Sequence, residues 1–548
     1  MEHTRRSILL CLIVLTAAAA VYQSAINPDK FGFYHDDGIY LTTAKALATN
    51  NEYRILSLPG QPRETKYPIL FPLALSALWR LYPDFPANIA PFAAFSALCM
   101  LAFLAISTAY FVKQNLVSKT GALLILVFAA FNWRTTVLAT SILSEGLYAA
   151  ISISALWLTE SLDKKQTACR SFALGILLPL AVLTRVSGLA LLTAIIFCAF
   201  YRKRFRRVWI PALLGISAAA GWFWWCSMHT TSLISPYEAY YTSYFRDWTT
   251  MLGAGASGFA QSWFGAFGLT VGKNVFGLLV NMPMLCLGVG THWYSGLGNI
   301  ELFFATILGL VVWILLIGGF FRTLPLANGY LHAYFLTYIC LHIIWPYGLY
   351  DRFLIPLLPI ILLFIIAQIT HMWHMLKQEM HARIVFARPA LFVFAFVALP
   401  SMALLAVYGS ARGLYEQMIT SKKQYALKAR QDKELAGWIR LHSNKSDIIA
   451  CYRDPIYYLY SDRRAIRLPA PLQTESFERT ADQLFRFVDE TKIKYLVQTS
   501  SDYELEANAD QKRGLLEALL KFYPRWFIPV FSAQSGTGMI YEIQKSLR

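Results

Sequence analysis

The chain has 548 residues, of which 56% are apolar and only 15% charged, with a formal net charge of +17. A soluble domain carries about 25% charged residues and 45–50% apolar ones, so a soluble enzyme, a disordered chain and a disulfide scaffold are all excluded. Seven of the eight cysteines lie in or beside apolar stretches, where the thiol behaves as a small hydrophobe, and no metal-binding Cys or Cys/His spacing occurs.

Apolar runs of about 20 residues match the roughly 30 Å hydrocarbon core of a bilayer. Read in chain order, they predict eleven membrane spans, near 7–25, 88–112, 120–138, 145–159, 171–184, 188–201, 208–226, 300–321, 330–347, 353–372 and 389–408. The first follows Arg5 and Arg6 and is read as an anchor, its length arguing against a cleaved leader. With the N-terminus in the cytoplasm, the cytoplasmic loops collect 16 basic and 4 acidic residues, among them the run Arg202–Arg207. The opposite loops collect 11 of each, the asymmetry that the positive-inside rule requires. The fold class expected is thus a mostly α, polytopic membrane protein.

Two outside loops interrupt the pattern. In loop 26–87, the segment from Tyr67 to Leu81 is apolar, Pro-bracketed and too short to cross, and reads as a juxtamembrane helix on the outer leaflet. Loop 227–299 is aromatic and Gly-rich, with half-apolar pieces that look interfacial. Residues 1–409 form the membrane domain in this reading, and 410–548 an extracytoplasmic α/β domain. That tail opens with an amphipathic helix near 421–443 carrying Leu427, Leu435, Trp438, Ile439 and Leu441. Strand-like runs follow at 447–452, 494–499 and 539–543, with helical patterns at 476–491 and 510–522. Its 22 basic and 17 acidic residues are too balanced for a nucleic-acid surface.

Ionisable groups beside a membrane core are functional candidates. His35-Asp36-Asp37-Gly38-Ile39-Tyr40 follows the first span. Adjacent carboxylates repel, which raises one pKa and suits a general base; equally, one of them caps the helix that starts there. Arg352, in Tyr350-Asp351-Arg352-Phe353, either snorkels or grips a phosphate. Glu145 opens a span, where the helix dipole alone would favour it. Lys66 precedes Tyr67-Pro68. His371, His374 and His381 share a cytoplasmic linker and are discounted as a metal site. No Walker or GxSxG sequence is present.

The order of these motifs resembles the GT-C superfamily of polyprenyl-phosphate-dependent glycosyltransferases. The likeness is in particular to the bacterial family 39-like group, which includes the lipid A aminoarabinose transferase and relatives of the protein O-mannosyltransferases. Asp36-Asp37-Gly38-Ile39-Tyr40 is similar to its first acidic segment, and Lys66-Tyr67-Pro68 to its Lys-Pro turn, with a tyrosine interposed. Ser144-Glu145 falls at the second acidic motif, and Asp351-Arg352-Phe353-Leu354-Ile355-Pro356 at the Arg-aromatic-x-x-Pro segment. The resemblance implies transfer of a sugar from a polyprenyl-phosphate donor to a hydroxyl of a glycan, lipid or protein acceptor, on the periplasmic face of a bacterial inner membrane and with inversion. It implies Asp36 as base, Asp37 as cap, orienter or metal partner, and Lys66, Tyr40, Glu145 and Arg352 as substrate-binding residues. A divalent cation on Asp36, Asp37 and Glu145 is open, since basic residues can do the same electrostatic work. The competing class is a polyprenyl-sugar flippase, against which stands the lack of a visible duplicated half.

Overall fold

The computed structural model describes residues 2–229, 263–289, 299–326, 328–381, 397–467, 477–499, 520–535 and 538–544, with 241, 243, 244, 247 and 248. The chain folds into two compact units, each drawn from separated stretches: 1–26, 93–223 and 248–418 in one, and 27–92, 224–247 and 419–548 in the other. The predicted boundary at 410 therefore lies near one of several crossings. The C-terminal domain shares its unit with residues 27–92 and 224–247.

The helices α1 (Glu2–Ala25), α2 (His35–Asn50), α3 (Leu70–Leu81), α4 (Ile89–Lys113), α5 (Lys119–Ala130), α6 (Trp133–Ala139), α7 (Glu145–Lys164), α8 (Ala168–Thr184), α9 (Gly188–Tyr201) and α10 (Trp209–Met228) run through the first half. Then come α11 (Trp263–Cys286), α12 (Asn299–Thr323), α13 (Tyr330–Ile343), α14 (Leu358–His381) and α15 (Leu399–Tyr415). Among the described residues, six helical segments are long and apolar enough to cross a membrane, in α1, α4, α10, α11, α12 and the stretch Asp351–Gln378. The pair α5–α6 makes a seventh if taken as one span, bent by 63°. The bend falls at Asn132, whose side chain accepts from Arg134 N–H and starts a new helix.

The eleven expected spans thus correspond unevenly to these helices. Helices α8 and α9 have 17 and 14 residues and α13 has 14, about 21–26 Å at 1.5 Å per residue. Helix α7 has 20 residues but carries Glu145, Glu160, Asp163 and Lys164, and is less apolar than the six. The stretch 389–408 lies partly outside the described residues. A correction concerns 227–299, read as interfacial pieces: it contains α11, a 24-residue helix whose part Phe267–Cys286 is of span length. Its glycines and the internal Pro283 dilute the apolar pattern, but the bilayer selects on mean hydropathy and length. Close packing in the membrane unit uses small residues as expected for lipid-embedded helices: a Cβ on Gly319 of α12 would lie 1.7 Å from the Phe364 carbonyl of α14.

In the other unit, α3 packs on α2 through Phe71 against Tyr40, and at 12 residues it is the short helix expected. The C-terminal domain comprises α16 (Ser421–His442), β1 (Ile448–Cys451), α17 (Asp454–Ser461), β2 (Ala465–Arg467), α18 (Phe477–Glu490), β3 (Ile493–Gln498), β4 (Phe527–Ser532) and β5 (Met539–Ile543). Strand order is β2-β1-β3-β5-β4, with β1 parallel to β2 and β3, and β5 antiparallel to β3 and β4. Side chains alternate across the sheet: Ile449 and Cys451 meet Leu435, Ala436 and Ile439 of α16, while Ala450 and Leu496 meet Phe487 and Val488 of α18. The buried stripe of α16 runs Tyr425, Ala429, Asp432, Leu435, Ala436, Ile439; Leu427 and Leu441, expected on that stripe, are exposed. The two strands missed in the sequence are the sheet edges: β2 has three residues, and β4 contains Pro529, which edge strands tolerate. The helical pattern expected at 510–522 lies mostly outside the described residues.

Candidate active site

The acidic pair sits in the first turn of α2. Helix α2 begins at His35 with Tyr34 as N-cap and no side-chain capping bond, so neither aspartate caps it, contrary to one of the two expectations. Asp37 reaches backwards instead, and its Oδ2 accepts from Gly32 N–H at 3.0 Å. Gly32 has φ +86°, a left-handed conformation that glycine adopts without strain and that aims its N–H at the carboxylate. Asp37 is 2% exposed, with Oδ1 buried and without a hydrogen-bond partner among the described residues. Burial is the main reason that its pKa is pushed up to about 7; the Gly32 N–H opposes this, and the neighbouring Asp36 charge adds to it.

Asp36 is half-buried and is held from outside its helix: the Tyr67 hydroxyl donates to its Oδ1 at 2.5 Å. Tyr40, one turn further on, is 4% exposed and sets its ring edge-on to Tyr67, centroids 5.1 Å apart.

The turn that carries Tyr67 also carries Lys66. Glu64, buried, accepts through Oε1 from the backbone N–H groups of Lys66 at 2.6 Å and Tyr67 at 3.1 Å. The Tyr53 hydroxyl donates to the Tyr67 carbonyl, and Trp225 Nε1–H to the Glu64 carbonyl. Burial raises the Glu64 pKa to about 7 against the pull of those N–H groups. Lys66 Nζ is 3.1 Å from Asp247 Oδ2, both side chains buried, and lies 5.4 Å from the centroid of the Tyr244 ring. Asp36, Asp37, Tyr40 and Lys66 are thus gathered in one unit, with Tyr67 linking the carboxylate to the lysine-bearing turn.

The same unit holds a further buried carboxylate. Asp454, in the first turn of α17, accepts from His35 Nε2 at 3.1 Å, from the Tyr241 hydroxyl and from Ser57 Oγ at 3.4 Å. Its neighbour Arg453 makes two hydrogen bonds to Asp432, at 2.7 and 2.6 Å.

Glu145 and Arg352 belong to the membrane unit. Glu145 is buried and 2.9 Å from Arg185 Nη1, which also donates to Ser144 Oγ. Asp351 is engaged by Arg134, while the Arg352 guanidinium lies 5.0 Å from the Phe353 ring centroid. The two adjacent residues therefore have different neighbours. Among the described residues no three His, Cys, Asp or Glu side chains gather as a metal ion would need.

Sequence reasoning missed Glu64, Asp247 and Asp454, and quoted His35 without a role. Glu64 had a readable signal: it stands two and three residues before the N–H groups that it accepts, the local spacing of a side-chain-capped turn. Asp247 and Asp454 had none, since their partners are remote in the chain (His35 and Asp454 are 419 residues apart).

No sequence-family profile and no curated protein sequence matches this chain. Solved structures do match its fold. ArnT from Cupriavidus metallidurans bound to undecaprenyl phosphate superposes with a TM-score of 0.54 at 11% identity, covering 98% of both chains. An Archaeoglobus fulgidus oligosaccharyltransferase tethered to an acceptor peptide gives 0.54 at 14% identity, over 98% of this chain and 74% of that one. The apo state of the same ArnT gives 0.52 at 12% identity. The chain thus shares the fold of these proteins, a mostly helical membrane part with a small C-terminal sheet, while the expected count of eleven spans is not confirmed.

The burial of Asp37 predicts a pH effect with a definite sign. A carboxyl whose folded pKa is raised favours folding when protonated, and that contribution is lost as pH rises from about 4 through about 7. Asp37→Asn mimics the protonated group and does not titrate. The melting temperature of the wild type, relative to Asp37→Asn, is expected to fall by several degrees between pH 5 and pH 8 in detergent. A constant difference would contradict the assignment.

Proposed function

We propose that this protein is a membrane glycosyltransferase that moves a sugar from a polyprenyl-phosphate donor to an acceptor hydroxyl. The observation that carries this reading is the link Asp36–Tyr67–Lys66: one braced turn carries a buried ammonium and, through Tyr67, holds the half-buried carboxylate of α2. The fold likeness supports it, since one matching structure holds undecaprenyl phosphate and another an acceptor peptide.

The chemistry asks for two things. The acceptor hydroxyl must lose its proton as its oxygen attacks the anomeric carbon, and the departing phosphate must be stabilised as the bond from that carbon to the phosphate oxygen breaks. A carboxylate has about four lone-pair sites, so Asp36 can keep the Tyr67 hydrogen bond and still accept a proton. The Tyr67 bond fixes which oxygen is available. Lys66 has three N–H donors, so a phosphate oxygen can join Asp247 on its ammonium or displace it. The phosphate is a good leaving group and needs charge neutralisation more than protonation. Direct attack with Asp36 as base inverts the anomeric centre and forms no sugar–enzyme bond. Tyr40 packs behind Tyr67 and limits its movement. Asp37 serves as the orienter, through Gly32, of the turn that enters α2. In the membrane unit, Arg352 is proposed to contact an anionic head group with its planar fork, and Glu145 to orient Arg185.

The reaction is placed on the periplasmic side of a bacterial inner membrane, with Arg202–Arg207 cytoplasmic and residues 410–548 outside. Reporter fusions after residues 205 and 430 are expected to report cytoplasm and periplasm respectively; a cytoplasmic signal at 430 would overturn this orientation.

Purified protein supplied with a labelled polyprenyl-phosphate sugar and candidate acceptors is expected to cleave the sugar–phosphate bond and transfer the label. Asp36→Asn keeps the side-chain shape, so folding should survive while turnover falls about 10²–10⁴-fold. Equilibration of the labelled lipid across liposomes without bond cleavage would identify a flippase instead.

A further inference from the structure

The C-terminal domain contributes one group that ties together three stretches of its own unit that bear candidate-site residues. Asp454 is 0% exposed, and its partners come from three separate stretches of chain. His35, on Oδ1 at 3.1 Å, immediately precedes Asp36. Tyr241, on the same oxygen, belongs to the short stretch that also supplies Tyr244 and Asp247 to Lys66. Ser57, on Oδ2 at 3.4 Å, lies in the stretch that leads to Glu64 and Lys66, and its carbonyl accepts from Ala465 N–H of β2 at 2.8 Å.

Packing around Asp454 is correspondingly close. A Cβ on Gly38, one residue after the acidic pair, would come within 2.8 Å of Pro455 Cβ, and one on Gly32 within 2.9 Å of Ile456. The backbone on both sides of Asp36 and Asp37 is therefore seated directly on the first turn of α17. Hydrogen bonds to a carboxylate are roughly twice as strong as neutral ones, and a buried carboxylate that loses its donors is left uncompensated. Both facts favour one arrangement of the three segments.

We propose that Asp454 is a positioning residue for the transfer reaction: through His35 it sets the Asp36-bearing turn, and through Tyr241 it sets the stretch that packs on Lys66. This rests on the assignment of Asp36 and Lys66 to that reaction. It makes the C-terminal domain a part of the catalytic unit rather than an appended module.

The test uses the full-length protein and three variants, Asp454→Asn, Tyr241→Phe and the two combined, with turnover expressed per site that binds undecaprenyl phosphate. A ligand-binding denominator removes losses that come only from misfolded protein. Asp454→Asn is expected to lower kcat roughly 10–100-fold, the scale of a misplacement near 1 Å, while donor KM stays within about 3-fold. Tyr241→Phe removes one hydroxyl, a change that leaves the core filled, and is expected to lower kcat about 3–10-fold, consistent with one charge-assisted hydrogen bond. In the Asp454→Asn background it should add nothing, because the partner is already altered. Lys433→Ala breaks an exposed ion pair with Asp29 in the same unit and should turn over as wild type.

If Asp454→Asn does not yield folded protein, Tyr241→Phe decides alone. A wild-type kcat in Tyr241→Phe, or losses that multiply in the double variant, would overturn the positioning role. Asp36→Asn separates the two levels: if that variant is active, the base assignment fails, whereas an inactive Asp36→Asn beside a fully active Tyr241→Phe overturns only the inference about Asp454.

Discussion

Two backbone N–H groups converge on the buried Glu64 carboxylate, and much of the candidate site depends on that turn. Because Glu64 accepts from both Lys66 and Tyr67, the two side chains must leave the backbone in fixed directions, one toward Asp247 and the other toward Asp36. An ammonium and a phenol on adjacent residues would otherwise sample many rotamers, and each ordered long side chain costs up to about 2 kcal/mol of entropy. The brace moves that cost into the fold. The adjacent Pro68 restricts Tyr67 further, since a residue before proline is held out of the helical region.

Buried charge is handled the same way in both units. Lys66 meets Asp247, Arg453 meets Asp432, Glu145 meets Arg185 and Asp351 meets Arg134. Pairs of this kind add little net stability, but losing one partner is strongly destabilising, typically by about 3–5 kcal/mol. They therefore specify arrangement more than they strengthen the fold. Three carboxylates are held differently. Asp36 is half-buried and tied by a phenol, and Asp37 and Glu64 are buried on backbone donors with raised pKa values.

Legibility in the sequence followed the range of the interactions. The long apolar helices α1, α4, α10 and α12 could be read from composition, as could α3, whose bracketing prolines mark a segment too short to cross. The strand β5 was read at its full extent, 539–543, because its alternation is local. The break at Asn132 was missed because a capped bend inside an apolar run leaves hydropathy unchanged. Helix α11 was missed because its glycines and Pro283 make it look like a loop. At the site, Asp36, Asp37 and Lys66 stood out as charges beside apolar runs. Asp247 and Asp454 looked like ordinary surface acids, and only folding, by burying them against Lys66 and His35, gave them partners.

The central claim is that the turn bearing Lys66 receives the phosphate of a polyprenyl lipid. The most direct measurement is photo-crosslinking of the full-length protein in liposomes with a photoreactive polyprenyl phosphate, with labelled peptides mapped by mass spectrometry. The account predicts labelling of the 64–68 segment that is competed by unlabelled undecaprenyl phosphate, retained in Asp36→Asn and strongly reduced in Lys66→Gln. Labelling confined to other segments, or labelling of 64–68 undiminished in Lys66→Gln, would contradict it.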